Sequence, residues 1–178
     1  MEKSRKYSAL AMALHWLIAA LVFYNIFFPP EPGDVSPEVR AQIVALHVGL
    51  GLIIIVLMIF RIFWRTAHHA PPLPDSLADW EHKGARAVHW LLYGIIFLML
   101  AFGFSTALFA HYPAAGFGLI PVAGFVNVSE GTWEIVKEIH HTGNKVLQAV
   151  VYLHIAAALY HHFIKKNDVL KSMLPFVK

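Results

Sequence analysis

Four apolar stretches, each long enough to cross a membrane as a helix, dominate this chain: about 7–28, 39–63, 83–110 and 137–163. A spanning helix needs roughly 20 residues of this character, and no other part of the sequence competes. Pro29, Pro30 and Pro32 end the first stretch, and Pro71, Pro72 and Pro74 lie between the second and third, where a ring without an N–H breaks a helix. Composition points the same way. Of 178 residues, 58% are hydrophobic and 14% charged, against roughly 45–50% and 25% in soluble domains. The surrounding medium is therefore lipid, and the expected fold is all-α: one integral membrane domain over residues 1–178, a transmembrane four-helix bundle.

The same arithmetic excludes a disordered tail and a nucleic-acid binder. Cys is absent, which removes disulfides, thiolate metal sites, iron–sulfur clusters and covalent attachment through a Cys-x-x-Cys-His motif. Lys3, Arg5 and Lys6 precede the first span like the basic region of a signal peptide. That span is too long for such a peptide, carries His15, Trp16 and Asn25, and has no small-x-small cleavage site, so it reads as a retained helix.

Positive charge orients the bundle. Lys3, Arg5, Lys6, Arg61, Arg65, Lys83, Arg86, Lys165, Lys166, Lys171 and Lys178 fall on one side, and Arg40, Lys137 and Lys145 on the other. By the positive-inside rule both termini are expected to be cytoplasmic, in a multi-pass, inner-membrane-type topology. The outer connection His111–Glu134, with Phe117, Gly118, Leu119, Pro121 and Trp133, is too apolar and Gly-rich for a solvated linker and is expected to fold back over the bundle.

Twelve histidines remain to be explained. A titratable side chain in hydrocarbon is costly unless compensated, so intramembrane histidines are functional candidates. His15, His47, His89, His140 and His154 qualify, whereas His68, His69, His82, His111 and His162 read as interfacial. His140 and His154 are 14 residues apart, which at 100° per residue keeps them within about 40° of one helix face and about 21 Å apart along the axis. His141 points away from that face.

Depth then pairs helices. His15 and His154 lie at one level near the cytoplasm, and His47 and His140 at another near the outside. Two axial imidazole pairs at two depths describe two bis-His haems of the b type, held without covalent attachment. His89 lies at the depth of the inner pair; it competes as a ligand, or hydrogen-bonds a haem propionate or a quinone headgroup. His161, seven residues past His154, is interfacial. Arg61, 14 residues after His47, places a guanidinium near the inner haem, and Arg40, seven before it, near the outer one; each also suits a charge snorkelling from a helix end. Gly49, Gly51 and Gly143 would let a flat ring approach the backbone, or serve plain helix packing.

These residues resemble the bacterial cytochrome b561 proteins, four-helix dihaem membrane cytochromes. The matching elements are Leu14-His15-Trp16, Leu46-His47-Val48-Gly49 followed by Arg61, His89-Trp90-Leu91-Leu92-Tyr93, Phe117-Gly118-Leu119 with Pro121, His140, His154-Ile155-Ala156-Ala157-Ala158 and His161-His162. They run over essentially the whole chain. The resemblance implies two haem b groups, one on His15 and His154 and the other on His47 and His140, with ubiquinone as exchangeable electron acceptor. Stand-alone members are similar to superoxide oxidases, oxidoreductases that take an electron from superoxide at the periplasmic face, release O2 and pass the electron to quinone. Arg40, Lys137 and Lys145, on the outer side, could attract that anion. By analogy the quinone would lie near the inner haem, with His89, Arg86 and Trp90 as candidates.

Two other readings stand beside this one. A membrane-anchor cytochrome subunit would relay electrons for a dehydrogenase or another periplasmic donor, though the short loops leave it little docking surface. A His-lined metal transporter would place acidic residues beside the histidines inside the membrane, and the interior of the four spans has none. The sequence expects membrane lipid as a partner, is compatible with a homo-oligomer, and leaves the donor and the haem potentials open.

Overall fold

The computed structural model describes residues 6–28, 35–68, 71–74, 76–110, 115–123 and 125–176. Lys3, Arg5, Pro29, Pro30, Pro32, His69, His111 and Lys178 lie outside the described residues. Within them run four long helices, α1 (Ala9–Phe27), α2 (Pro37–Ala67), α3 (Asp79–Leu108) and α4 (Glu130–Phe163), a hairpin of two short strands, β1 (Ala115–Gly116) and β2 (Ile120–Pro121), and a 3₁₀ turn at Lys171–Met173. Each long helix is apolar enough to cross a membrane.

Local chemistry sets the helix starts. Ser8, Ser36 and Ser129 each accept a first-turn N–H, from Ala11, Val39 and Thr132, which satisfies a donor that has no partner inside the helix. Pro37 opens α2, where its missing N–H costs nothing. The α3 start is held by Glu81, whose Oε2 accepts the Ala78 N–H at 2.8 Å. These caps make α2, α3 and α4 longer than their apolar runs. α4 begins at Glu130 rather than near Lys137, because a capped polar turn continues the helix into water after the hydrophobic signal has stopped.

α1 has 19 residues and α4 has 34, so at 1.5 Å per residue they measure about 28 Å and about 51 Å. Only α1 matches the roughly 30 Å hydrocarbon core. Its last turn is tied to α4, where Gln148 Nε2 and Asn144 Nδ2 both donate to the Ile26 carbonyl, at 2.7 and 3.3 Å. The α2 and α4 N-terminal turns therefore project past the end of α1.

The core is a column of Ile18, Val22, Ile26, Ile54, Met58, Tyr93 and Leu147, while Val56, Ile59, Phe63, Leu98 and Leu153 are exposed. An apolar exterior is what a lipid-facing bundle requires. Both described chain ends lie on one face, which we call the terminal face: Tyr7 N–H donates to the Ser172 carbonyl, Trp16 Nε1 donates to the Met173 carbonyl, and Lys165 pairs with the buried Glu81 at 3.3 Å.

At the opposite face the β1–β2 hairpin returns onto α2, as its composition led one to expect. Phe117 N–H donates to the Ala45 carbonyl at 2.8 Å. Phe117 (φ 54°) and Gly118 (φ 70°) make the turn. The left-handed conformation is unfavourable for Phe, and it is offset by seating the ring on Gly49, where a Cβ would stand 2.6 Å from ring carbons.

Candidate functional site

Two histidine pairs face each other across the bundle. His15 of α1 and His154 of α4 have ring centres 6.2 Å apart at 73°. His47 of α2 and His140 of α4 also have centres 6.2 Å apart, at 87°. The 14-residue spacing on α4 sets the two levels about 21 Å apart. We call them the proximal pair, nearer the terminal face, and the distal pair. His141 is exposed, as helix phase requires.

The proximal level is crowded. His89 of α3 stands 5.7 Å from His154, centre to centre. Arg61 reaches in from α2: its Nε donates to the Tyr93 hydroxyl at 3.0 Å and its Nη2 lies 3.3 Å from Nδ1 of His15. Its Nη1 is buried without a partner, so this guanidinium retains donor capacity. Trp90 and Arg86 are exposed; Trp90 meets Tyr93 at 6.1 Å between ring centres.

The distal level carries fewer polar contacts. Asn25 donates to the His47 carbonyl at 3.4 Å, and Nδ1 of both His47 and His140 is buried without a partner. Gly103 of α3 sits against the His140 ring, where a Cβ would be 2.6 Å from Cε1. Gly143 leaves the same kind of room for the Met99 sulfur. Among the described residues, no three His, Cys, Asp or Glu side chains converge as a bare metal site.

A family model described as prokaryotic cytochrome b561 matches residues 6–176. The chain belongs to that family. Cytochrome b561 proteins of this type are integral membrane electron carriers with b-type haem. This one is 27% identical over 172 residues to a probable superoxide oxidase, CybB, of Yersinia pestis, covering 96% of this chain and 97% of that one. It is 28% identical over 178 residues to cytochrome b561 homolog 1 of Escherichia coli K12, covering 96% and 97%. Homolog 2 of the same strain is 26% identical over 180 residues, covering 95% and 91%.

The pairs of this cytochrome b561 fit the group that its family carries. With metal–imidazole bonds of about 2 Å and each ring centre about 1 Å beyond its nitrogen, two imidazoles on opposite faces of one metal have centres about 6 Å apart. The His15–His154 and His47–His140 spacings meet that requirement, and so does the 5.7 Å between His89 and His154. A haem iron needs only two protein ligands; the distal level offers His47 and His140, and at the proximal level His15 and His89 both stand beside His154.

The outer cations are placed less uniformly. Lys137 pairs with Glu134 at 2.7 Å and lies over the Trp133 ring at 4.5 Å. Arg40 is exposed near the start of α2, and Lys145 is exposed on α4 five residues past His140. His161 meets Asn167 at 3.0 Å on the terminal side, and His68 stacks on Trp64 at 3.7 Å.

Sequence reasoning passed over Tyr93 and Gly103 as site residues. Both carried a signal. Tyr93 is four residues from His89, hence on its face, and Gly103 is 14 residues from His89, the same interval that relates His140 to His154.

Proposed function

We propose that this cytochrome b561 holds two haem b groups, one between His15 and His154 and one between His47 and His140, and moves electrons across the membrane from superoxide to ubiquinone. The observation that carries this reading is the recurrence of one ring spacing, 6.2 Å, at two depths of the bundle. The name of the Yersinia pestis relative favours superoxide as the donor.

When bound, each haem supplies a one-electron iron couple. The chain would hold and insulate these groups: His15, His154, His47 and His140 would supply ring nitrogens to them, and the apolar column between the two levels excludes water. Arg61, with a buried unpartnered Nη1, can offer donors to haem carboxylates on the proximal side; Arg40 is the candidate for that role on the distal side. His89 can hydrogen-bond a propionate or a quinone headgroup. Arg40, Lys137 and Lys145 draw the anionic donor toward the distal face, and Glu134 offsets part of the charge of Lys137. Two superoxide anions each give up one electron and leave as O2, and these two electrons with two protons convert one quinone to its quinol. In this reading the terminal face, with Lys6, Arg61, Arg65, Lys83, Lys165 and Lys166, is cytoplasmic and the membrane is the bacterial inner membrane.

A superoxide pulse delivered to the purified haem-loaded protein tests it. The expected result is haem reduction well above the uncatalysed rate, followed by re-oxidation when ubiquinone is present. Reduction no faster than the control, in a protein that still binds two haems, would make the chain a relay for another donor.

A further inference from the structure

A cavity of about 620 Å³ opens on the terminal face between the start of α1 and the end of α2. Its lining includes Leu14, Arg61, Tyr93, Trp64, Lys6 and Arg65. Three fixed cations line it, and among the described residues no acidic side chain does. Ser8 and Ala11 bring in the first turn of α1, whose N–H groups add partial positive charge. The haem reading uses Arg61 alone. Arg65, one turn on along α2, lays its guanidinium over the Tyr93 ring at 5.9 Å, and with Lys6 it makes a cationic pair that the haem reading leaves unassigned.

We propose that the Lys6 and Arg65 pair binds the phosphodiester of an acidic phospholipid. Depth supports this occupant. α1 matches the hydrocarbon thickness, so its first residue, Ala9, marks the hydrocarbon edge and Lys6, three residues before it, falls toward the headgroup layer where lipid phosphates lie. Trp64 is amphipathic and interfacial in the usual sense: its Nε1 donates to Ser8 Oγ at 3.3 Å, while its ring meets the exposed Phe60 at 6.3 Å. Phe60, Phe63, Leu10 and Leu17 are exposed on the same two helices and offer an apolar wall to acyl chains. Charge supplies the selectivity. A zwitterionic lipid brings its own ammonium into a cavity that already holds three cations, whereas an acidic lipid brings net negative charge alone.

The purified haem-loaded protein in detergent, melted by far-ultraviolet circular dichroism, tests the proposal with added phosphatidylglycerol, phosphatidylcholine of the same chains, or inorganic phosphate. Phosphatidylglycerol should raise the Tm at concentrations where the other two do not. The double variant Lys6→Gln/Arg65→Gln should need at least tenfold more of it for half of the shift. Lys83→Gln/Lys166→Gln, which removes two exposed cations of the same face, should respond like the parent. Should the double variant melt too low to score, Lys6→Gln alone in native mass spectrometry should retain less phosphatidylglycerol per chain than the parent. An unchanged lipid response in the cavity variants, an equal loss in the control, or equal stabilisation by free phosphate overturns the site. So does a loss of haem from the double variant in place of a lost lipid response, since the cations would then serve haem carboxylates.

Discussion

Arg61 holds its Nη2 3.3 Å from Nδ1 of His15 while its Nε donates to Tyr93. A guanidinium only donates, so Nδ1 accepts and the ring proton of a neutral His15 sits on Nε2. An imidazole that binds iron through Nε2 must carry its proton on Nδ1 instead. If His15 is a haem ligand, as proposed, Arg61 would have to release its Nδ1, and the guanidinium would remain beside that ligand with donors to spare. A cation at that distance favours the reduced, less positive iron. Arg61→Gln should lower the midpoint potential of one of two haems by an amount on the order of tens of millivolts, with the other wave unmoved in a potentiometric titration. Two waves shifting together would count against this placement.

Pairing across the bundle predicts which losses go together. His15→Ala and His154→Ala should abolish the same haem, and His47→Ala and His140→Ala the other. Each single variant should keep about half of the b-type absorbance per chain. A double variant within one pair should look like either single, whereas His47→Ala/His154→Ala should lose both. Pyridine haemochrome assays on purified protein read this directly, and the loss of one common haem from His47→Ala and His154→Ala would refute the pairing.

Much of this arrangement was legible in the chain because it rests on periodicity. The four apolar runs gave the helices, and the interval from His140 to His154 gave the shared face; depth along each helix gave the partners, which the structure brings to the same spacing twice. What sequence left hidden was set by contacts between elements. The α4 start at Glu130 depends on a Ser129 cap that an apolar-run reading does not register. The role of Gly103 depends on which ring packs against it, and Phe117 adopts φ 54° because the hairpin lies down on Gly49. Neither is a property of its own segment. The cavity under Trp64 combines residues from three helices and the C-terminal segment, and no local pattern announces such a convergence.

The anchoring of α1 to α4 should be cooperative. Ile26 lies in the last turn of α1, where its carbonyl has no helical donor, and both Gln148 and Asn144 supply one. Side-chain hydrogen bonds within membranes contribute about 0.6 kcal/mol on average and about 1.7 kcal/mol at most. Gln148→Ala leaves Asn144 in place and should cost less than about 1 kcal/mol. The double variant Asn144→Ala/Gln148→Ala leaves the carbonyl unpartnered and should cost more than the sum of the singles. A double-mutant cycle from detergent or steric-trap unfolding measures the difference, and strict additivity would show that the two donors act independently.

Glycines on α3 and α4 offer a graded test of the distal site. A Cβ on Gly103 would stand 2.6 Å from Cε1 and 3.1 Å from Nδ1 of His140. That ring is confined between two packed helices and has little room to yield. A Cβ on Gly143 meets the Met99 sulfur at 2.6 Å, the far end of a flexible side chain that can turn aside. A Cβ on Gly94 meets nothing within 4 Å. Overpacking a tight contact costs about 1–3 kcal/mol, and at Gly103 the strain falls on His140, a haem ligand in the proposed pairing. Gly103→Ala should therefore lower the haem content toward one per chain or shift the spectrum of the distal haem alone, with the proximal potential unchanged. Gly143→Ala should keep both haems with a small loss of Tm, and Gly94→Ala should behave as the parent. If Gly103→Ala retains two haems with unaltered spectra and potentials, the His140 ring is not held in place by α3, and the tight seat of the distal pair has to be sought elsewhere.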